Sequence, residues 1–139
     1  MKSLGLLIKL QKTKVDEQRQ HLSKLQTRLE EIELQIQALE ASKITEQRAA
    51  EEYIEARGTY GAFLKAAIEK GRLLENDRIA AEVAVEAARD VLTQLFEEQK
   101  RYETAEAARI AAEEKEERRR ETIEMDEIGG ITHERKKAD

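Results

Sequence analysis

The chain has 139 residues, 40% of them charged and 4% aromatic, with no Cys, Pro or Trp and a net charge of −5. Without cysteine there is neither a disulfide framework nor a thiolate metal site, and a reducing compartment is the natural home. So few aromatics argue against one deep core, and the dominant Ala, Glu, Lys, Arg, Leu and Gln are the mixture of long helices and coiled coils.

The opening MKSLGLLIKL holds a short apolar run that Lys9 interrupts, too short for a signal peptide or a bilayer span. The chain therefore reads as cytoplasmic. A heptad starts at once. Its a positions are Met1, Ile8, Val15, Leu22, Leu29 and Ile36, and its d positions are Leu4, Gln11, Gln18, Leu25, Ile32 and Leu39. Ten of these twelve are apolar, the spacing that keeps one seam toward a partner helix. Gln11 and Gln18 are polar insertions of the kind that set register or partner choice. The phase degrades where Lys43 and Glu46 take the next a and d positions.

Charge is uneven along this helix. Residues 1–28 hold seven Lys/Arg against two acids, and residues 29–57 hold three against eight. A basic opening on an acidic molecule points to a charged partner or a membrane surface, and SLGLLIKLQKTK joins an apolar face to several lysines. The plainer reading is that Leu4 and Ile8 begin the seam while the lysines keep the helix solvated.

ARGTYGAFL, residues 56–64, places Gly58 and Gly61 in mid-chain. Arg57 followed by Gly58 is a helix stop, and Thr59 is an N-cap for the second helix. The spacing predicts helix one over about 3–57, a turn at about 58–61 and helix two over about 62–127. The second helix has a positions Leu64, Gly71, Arg78, Val85, Leu92 and Gln99, and d positions Tyr60, Ala67, Leu74, Ala81, Ala88, Leu95 and Tyr102. Its alanines imply a narrow seam, which Phe63, Ile68, Val91 and Phe96 widen from flanking positions. The heptad reads as restarting in a new phase after the glycines. A short turn between long helices then gives an all-α fold, two long helices in an antiparallel coiled-coil hairpin over residues 1–128. The rival is one continuous helix that dimerises in parallel.

EEKEERRRETIEM, 113–125, is nearly all charge, helical through Glu/Arg pairs with little to pack on its own. Gly129 and Gly130 end the helix, and 129–139 reads as a flexible polar tail.

Enzyme chemistry finds almost no foothold. His21 and His133 have no further ligands at zinc spacing, neither glycine pair is followed by the GK[ST] of a phosphate loop, and no Ser or Thr stands with a base. No cofactor or metal is expected. The Arg118–Arg119–Arg120 and Arg135–Lys136–Lys137 runs offer phosphate contacts, but acidic neighbours and the lack of stacking aromatics weigh against nucleic acid.

Three segments together resemble one family. LIKLQKTKVDEQRQHLSKLQ carries Asp16 and Arg19 at helical spacing, YGAFLKAAIEKG opens the second helix, and ETIEMDEI, 121–128, stands near the end. The chain resembles the flagellar export protein FliJ family, related to the small coiled-coil stalk proteins of type III secretion injectisomes. The resemblance implies a non-enzymatic stalk at the centre of a hexameric export ATPase. Such a stalk promotes ring assembly, contacts the cytoplasmic domain of the export gate and escorts or recycles export chaperones. It implies a cytoplasmic location at the flagellar base, with the membrane reached only peripherally through partners. Carried onto this sequence, gate contact falls on Phe63, Ala67 and Leu74. ATPase-ring contact falls on Lys9, Lys12, Asp16 and Arg19 at one end, and on Met125, Asp126 and Glu127 at the other. The alternatives from other classes are a homodimerising coiled-coil scaffold and a nucleic-acid-binding helical hairpin.

Overall fold

The structure, a computed structural model, describes Lys2–Ala138. Met1, Asp139 and the Lys137 side chain, which entered the a series, the tail and the second basic run, lie outside the described residues. Helix α1 runs Lys2–Glu52 and helix α2 runs Ile54–Ala138, with only Tyr53 between them. Among the described residues there is no strand. The fold is all-α, two long helices packed antiparallel as a hairpin. The chain groups into two compact units, one spanning Thr13–Leu95, the other joining the chain up to Lys12 with the chain from Phe96 onward.

In the Thr13–Leu95 unit the seam follows the heptad. Val15, Ile32 and Leu39 of α1 are buried, with Leu22, Leu25, Leu29 and Ile36 half-buried between them. On α2, Ala67, Leu74, Val85 and Ala88 are buried. Leu39, Ala67 and Leu74 form one core cluster, against which Ile36 and Phe63 pack. Small residues let the helices approach closely. The Gln18 amide donates to the backbone carbonyl of Ala88 at 3.0 Å, a reach that the small buried side chain permits. Gly71 admits Leu39, whose Cδ2 would sit 3.5 Å from an added Cβ. These pairs run in opposite directions along the two helices, so the packing is antiparallel.

Four expectations change here. First, the seam does not end at Lys43. Lys43 is half-buried on its apolar stem while its ammonium donates to Glu40 at 3.0 Å, and Ala50, the next a position, is buried. Only Glu46 stands exposed. Second, α2 does not restart the heptad in a new phase, because Leu64 follows Ile36 by whole heptads and both are half-buried. Third, Ile68 and Val91 are 59% and 43% exposed and Phe96 is also exposed, so of the flanking residues only Phe63 joins the core.

The fourth concerns the turn, which lies at Tyr53 and not at 58–61. Gly58 and Gly61 sit inside α2, and among the described residues no residue has a positive φ. The left-handed freedom of glycine is therefore unused. The reversal rests instead on hydrogen bonds that satisfy the last carbonyls of α1. The Tyr53 N–H donates to Ala49 O at 2.8 Å, the Arg57 Nε–H donates to Ala50 O at 3.0 Å, and the Ala56 N–H donates to Tyr53 O at 3.2 Å. Arg57 thus closes α1 from within α2. The Thr59 hydroxyl donates back to Ala56 O at 3.2 Å and caps nothing. Arg57→Ala should lower the unfolding free energy by about 1 kcal/mol, read by urea titration. An unchanged midpoint would remove this capping role.

In the other unit the seam turns polar. Leu4 and Ile8 are half-buried, and Gln11, 2% exposed, donates from its amide to Glu98 Oε2 at 3.1 Å. The seam positions of α2 here, Gln99, Tyr102, Glu106 and Arg109, are half-buried. From Ile110 through Lys136 every side chain is exposed except half-buried Glu116. Helix α2 nevertheless runs through Gly129 and Gly130 to Ala138, so the expected end at 128 is not where the helix stops.

Candidate interaction surfaces

The charged stretch of α2 is held by pairs one turn apart. Arg109 bonds Glu106 at 2.6 Å and Glu113 at 2.7 Å, while Arg119 at 2.9 Å and Arg120 at 3.5 Å share Glu116. Arg72 bonds Glu69 at 2.6 Å, and Arg78 bonds both Glu75 and Glu82. The hydrogen bond first, and then the positive charge, holds the Glu69 carboxyl below its ordinary pKa beside Arg72. Hydrogen bonds from Arg78, Arg109 and Arg119 hold Glu75, Glu106 and Glu116 down in the same direction.

Each carboxylate is depressed, so its contribution is complete above the unfolded value of about 4.3 and is lost as pH falls through the lower folded value. Exposed pairs of this kind are screened by salt and each contributes little. By carbon NMR, Glu106 and Glu116 should titrate below about 4.3 and return toward it in Arg109→Gln and Arg119→Gln. Titration at the peptide value in the parent chain would show that the pairs do not form in solution. The same geometry engages two of the three clustered arginines with carboxylate, which works against phosphate binding.

The residues expected at a gate contact fall mostly inside the seam. Ala67 and Leu74 are 4% and 7% exposed beneath Leu39, so they hold the hairpin together and present nothing outward. Phe63 is half-buried where it packs against that cluster. In the same unit the exposed apolar side chains are those the heptad leaves outside, among them Tyr53 at 56%, Ile54 at 76% and Ile68 at 59%. Sequence reasoning missed Tyr53 and Ile54 because it placed the turn after them.

The residues expected at an ATPase ring are all exposed. Asp16 and Arg19, 4.0 Å apart, belong to the Thr13–Leu95 unit. Lys9, Lys12, Met125, Asp126 and Glu127 belong to the other unit. Met125 is 68% exposed, as an apolar residue on solvent must be if a partner is to cover it. Leu6, Leu7 and Leu10, within the SLGLLIKLQKTK segment read above as an apolar face with lysines, are exposed at 59%, 43% and 51%.

Among the described residues no group of three or more His, Cys, Asp or Glu is placed to hold a metal ion, and no helix is long and apolar enough to cross a membrane. One concavity is an open face of α2 itself, with Thr104, Ala105 and Ala108 at its floor. It encloses nothing.

Two helices that close an apolar seam on each other and turn charge outward define a coiled-coil interaction protein. The seam that a homodimer of the same pattern would use is already filled by the chain's own second helix. A family model described as Flagellar FliJ protein matches residues 1–138, and the chain belongs to that family. Its role is accordingly related to flagellar export. No curated protein and no solved structure matches the chain.

Proposed function

We propose that the chain is a non-enzymatic coiled-coil stalk of the flagellar type III export apparatus. In this reading it seats in a hexameric export ATPase, promotes assembly of the ring, contacts the cytoplasmic domain of the export gate and escorts or recycles export chaperones. The observation that carries the reading is a self-sealed two-helix seam in a chain matched to the family over residues 1–138. A stalk that meets several subunits in turn needs apolar contacts satisfied within itself and a polar exterior, and this packing supplies both.

Ring contact is assigned to Lys9, Lys12, Asp16, Arg19, Met125, Asp126 and Glu127, which are exposed. Gate contact is assigned near the start of α2 to Phe63, with exposed Ile68 close by in sequence. Ala67 and Leu74 support that region from the seam. The location that fits this role is cytoplasmic, at the inner face of the membrane at the flagellar base, held there by partners.

The test is steady-state ATP hydrolysis by the export ATPase of the same organism, with and without the purified chain. Turnover should rise several-fold together with the hexamer fraction. Asp126→Lys combined with Glu127→Lys should remove most of that rise while circular dichroism stays unchanged. No stimulation and no co-elution with the ATPase would sink the stalk reading.

A further inference from the structure

We propose that the beginning of α1 carries a lipid-surface site, in which Leu6, Leu7 and Leu10, with Lys9 at their edge, take an anionic bilayer surface. The seam accounts for Leu4, Ile8 and Gln11, which are half-buried or buried against α2. It does not account for the three leucines, which remain 59%, 43% and 51% exposed. Their i, i+1, i+4 spacing gathers them on one side of the helix, about a quarter turn wide and away from the seam. They form a contiguous aliphatic patch, not scattered exposure.

Charge selects the occupant. The first fifteen residues hold four lysines and no Asp or Glu, on a chain whose net charge is −5. Lys9 is exposed three residues after Leu6 and so flanks the leucine patch. A second copy of this segment would bring lysine against lysine.

Size separates a lipid surface from an acidic protein. Together the three leucines expose about one and a half side chains' worth of surface, against about 800 Å² per partner in a stable protein interface. A bilayer asks less of the patch. A helix lying in the headgroup plane needs only a few aliphatic side chains to dip below the phosphates while its lysines meet anionic headgroups. The association is peripheral, since no described helix is apolar enough to cross. It shares Lys9 with the ring contact proposed above, while the three leucines belong to the lipid site alone and supply the chain with a membrane contact of its own.

The test is co-sedimentation of the full chain with vesicles of phosphatidylcholine containing phosphatidylglycerol, and with phosphatidylcholine alone. The chain should pellet with the anionic vesicles at least about tenfold more strongly, and lose that binding as salt shortens the Debye length. Lys9→Gln should weaken binding about fivefold, the ratio that corresponds to ~1 kcal/mol for one basic residue near the surface. Leu6→Ser, Leu7→Ser and Leu10→Ser together should abolish binding with an unchanged melting temperature. Equal pelleting of the triple variant, or no pelleting of the parent chain, overturns the site. A triple variant that keeps vesicle binding but no longer stimulates the export ATPase overturns it too, and moves the patch to a protein interface. Vesicle binding without ATPase stimulation leaves the site standing and the stalk reading fallen.

Discussion

Ile32→Ala should lower the unfolding free energy by about 2–4 kcal/mol, the largest loss expected of any single truncation in this chain. Ile32 is 2% exposed and is among the largest fully buried side chains. It lies at a d position, beside a shallow concavity that it lines with Ala80, Ala81 and Ala84 of α2. Those alanines cannot reach across to fill the space that truncation leaves. The cost therefore includes the void as well as the lost transfer energy. The matched control is Leu34→Ala, two residues on and 63% exposed, which should change stability by less than about 0.5 kcal/mol. Urea unfolding of the two variants decides it, read as a shift in midpoint at constant slope. Equal effects would mean that solution packing does not follow this seam.

Gly58→Ala with Gly61→Ala should stabilise the chain by about 1 kcal/mol for each substitution. Both glycines lie within α2, neither has a positive φ, and a Cβ added at either meets nothing within 4 Å. Alanine then gains what glycine loses in backbone entropy. A turn at 58–61 reverses the sign, because a left-handed residue makes alanine costly by ~1–2 kcal/mol. The melting temperature of the double variant thus tests the position of the reversal directly. A decrease would return the turn to the glycines. If the double variant is more stable but stimulates the export ATPase less, the glycines serve as softness near the turn that the proposed function requires.

The sequence by itself determined the all-α class, the heptad positions of the seam and the resemblance to the family. Period 3.5 is a local property, so Val15, Leu22, Ile32 and Leu39 could be assigned to the buried face before any partner helix was known, and that assignment holds. The polar insertions were legible too, though not their partners, since Gln11 and Gln18 bond residues far along the chain.

Where the chain reverses was decided only by tertiary structure. The heptad count runs unbroken from Ile36 to Leu64, so it looks the same for a hairpin and for one continuous helix. Glycine signals marked residues 58–61, yet a reversal that uses no positive φ has no need of them. It falls where Arg57 and Tyr53 satisfy the final carbonyls of α1, a matter of hydrogen bonds between residues that no period reveals. Lys43 shows the same limit: its polar head reads as the end of a seam that its stem continues.

Exposure of the candidate sites was equally a tertiary outcome. A helical wheel shows which residues share a face but not which face is covered. Ala67 and Leu74 share a face with Phe63 and are taken by the seam, whereas Leu6, Leu7 and Leu10 stand one stripe over from Leu4 and Ile8 and remain on solvent. Covering one stripe of an amphipathic helix leaves its neighbour for a partner, and only the packing of α2 on α1 fixed which stripe that was.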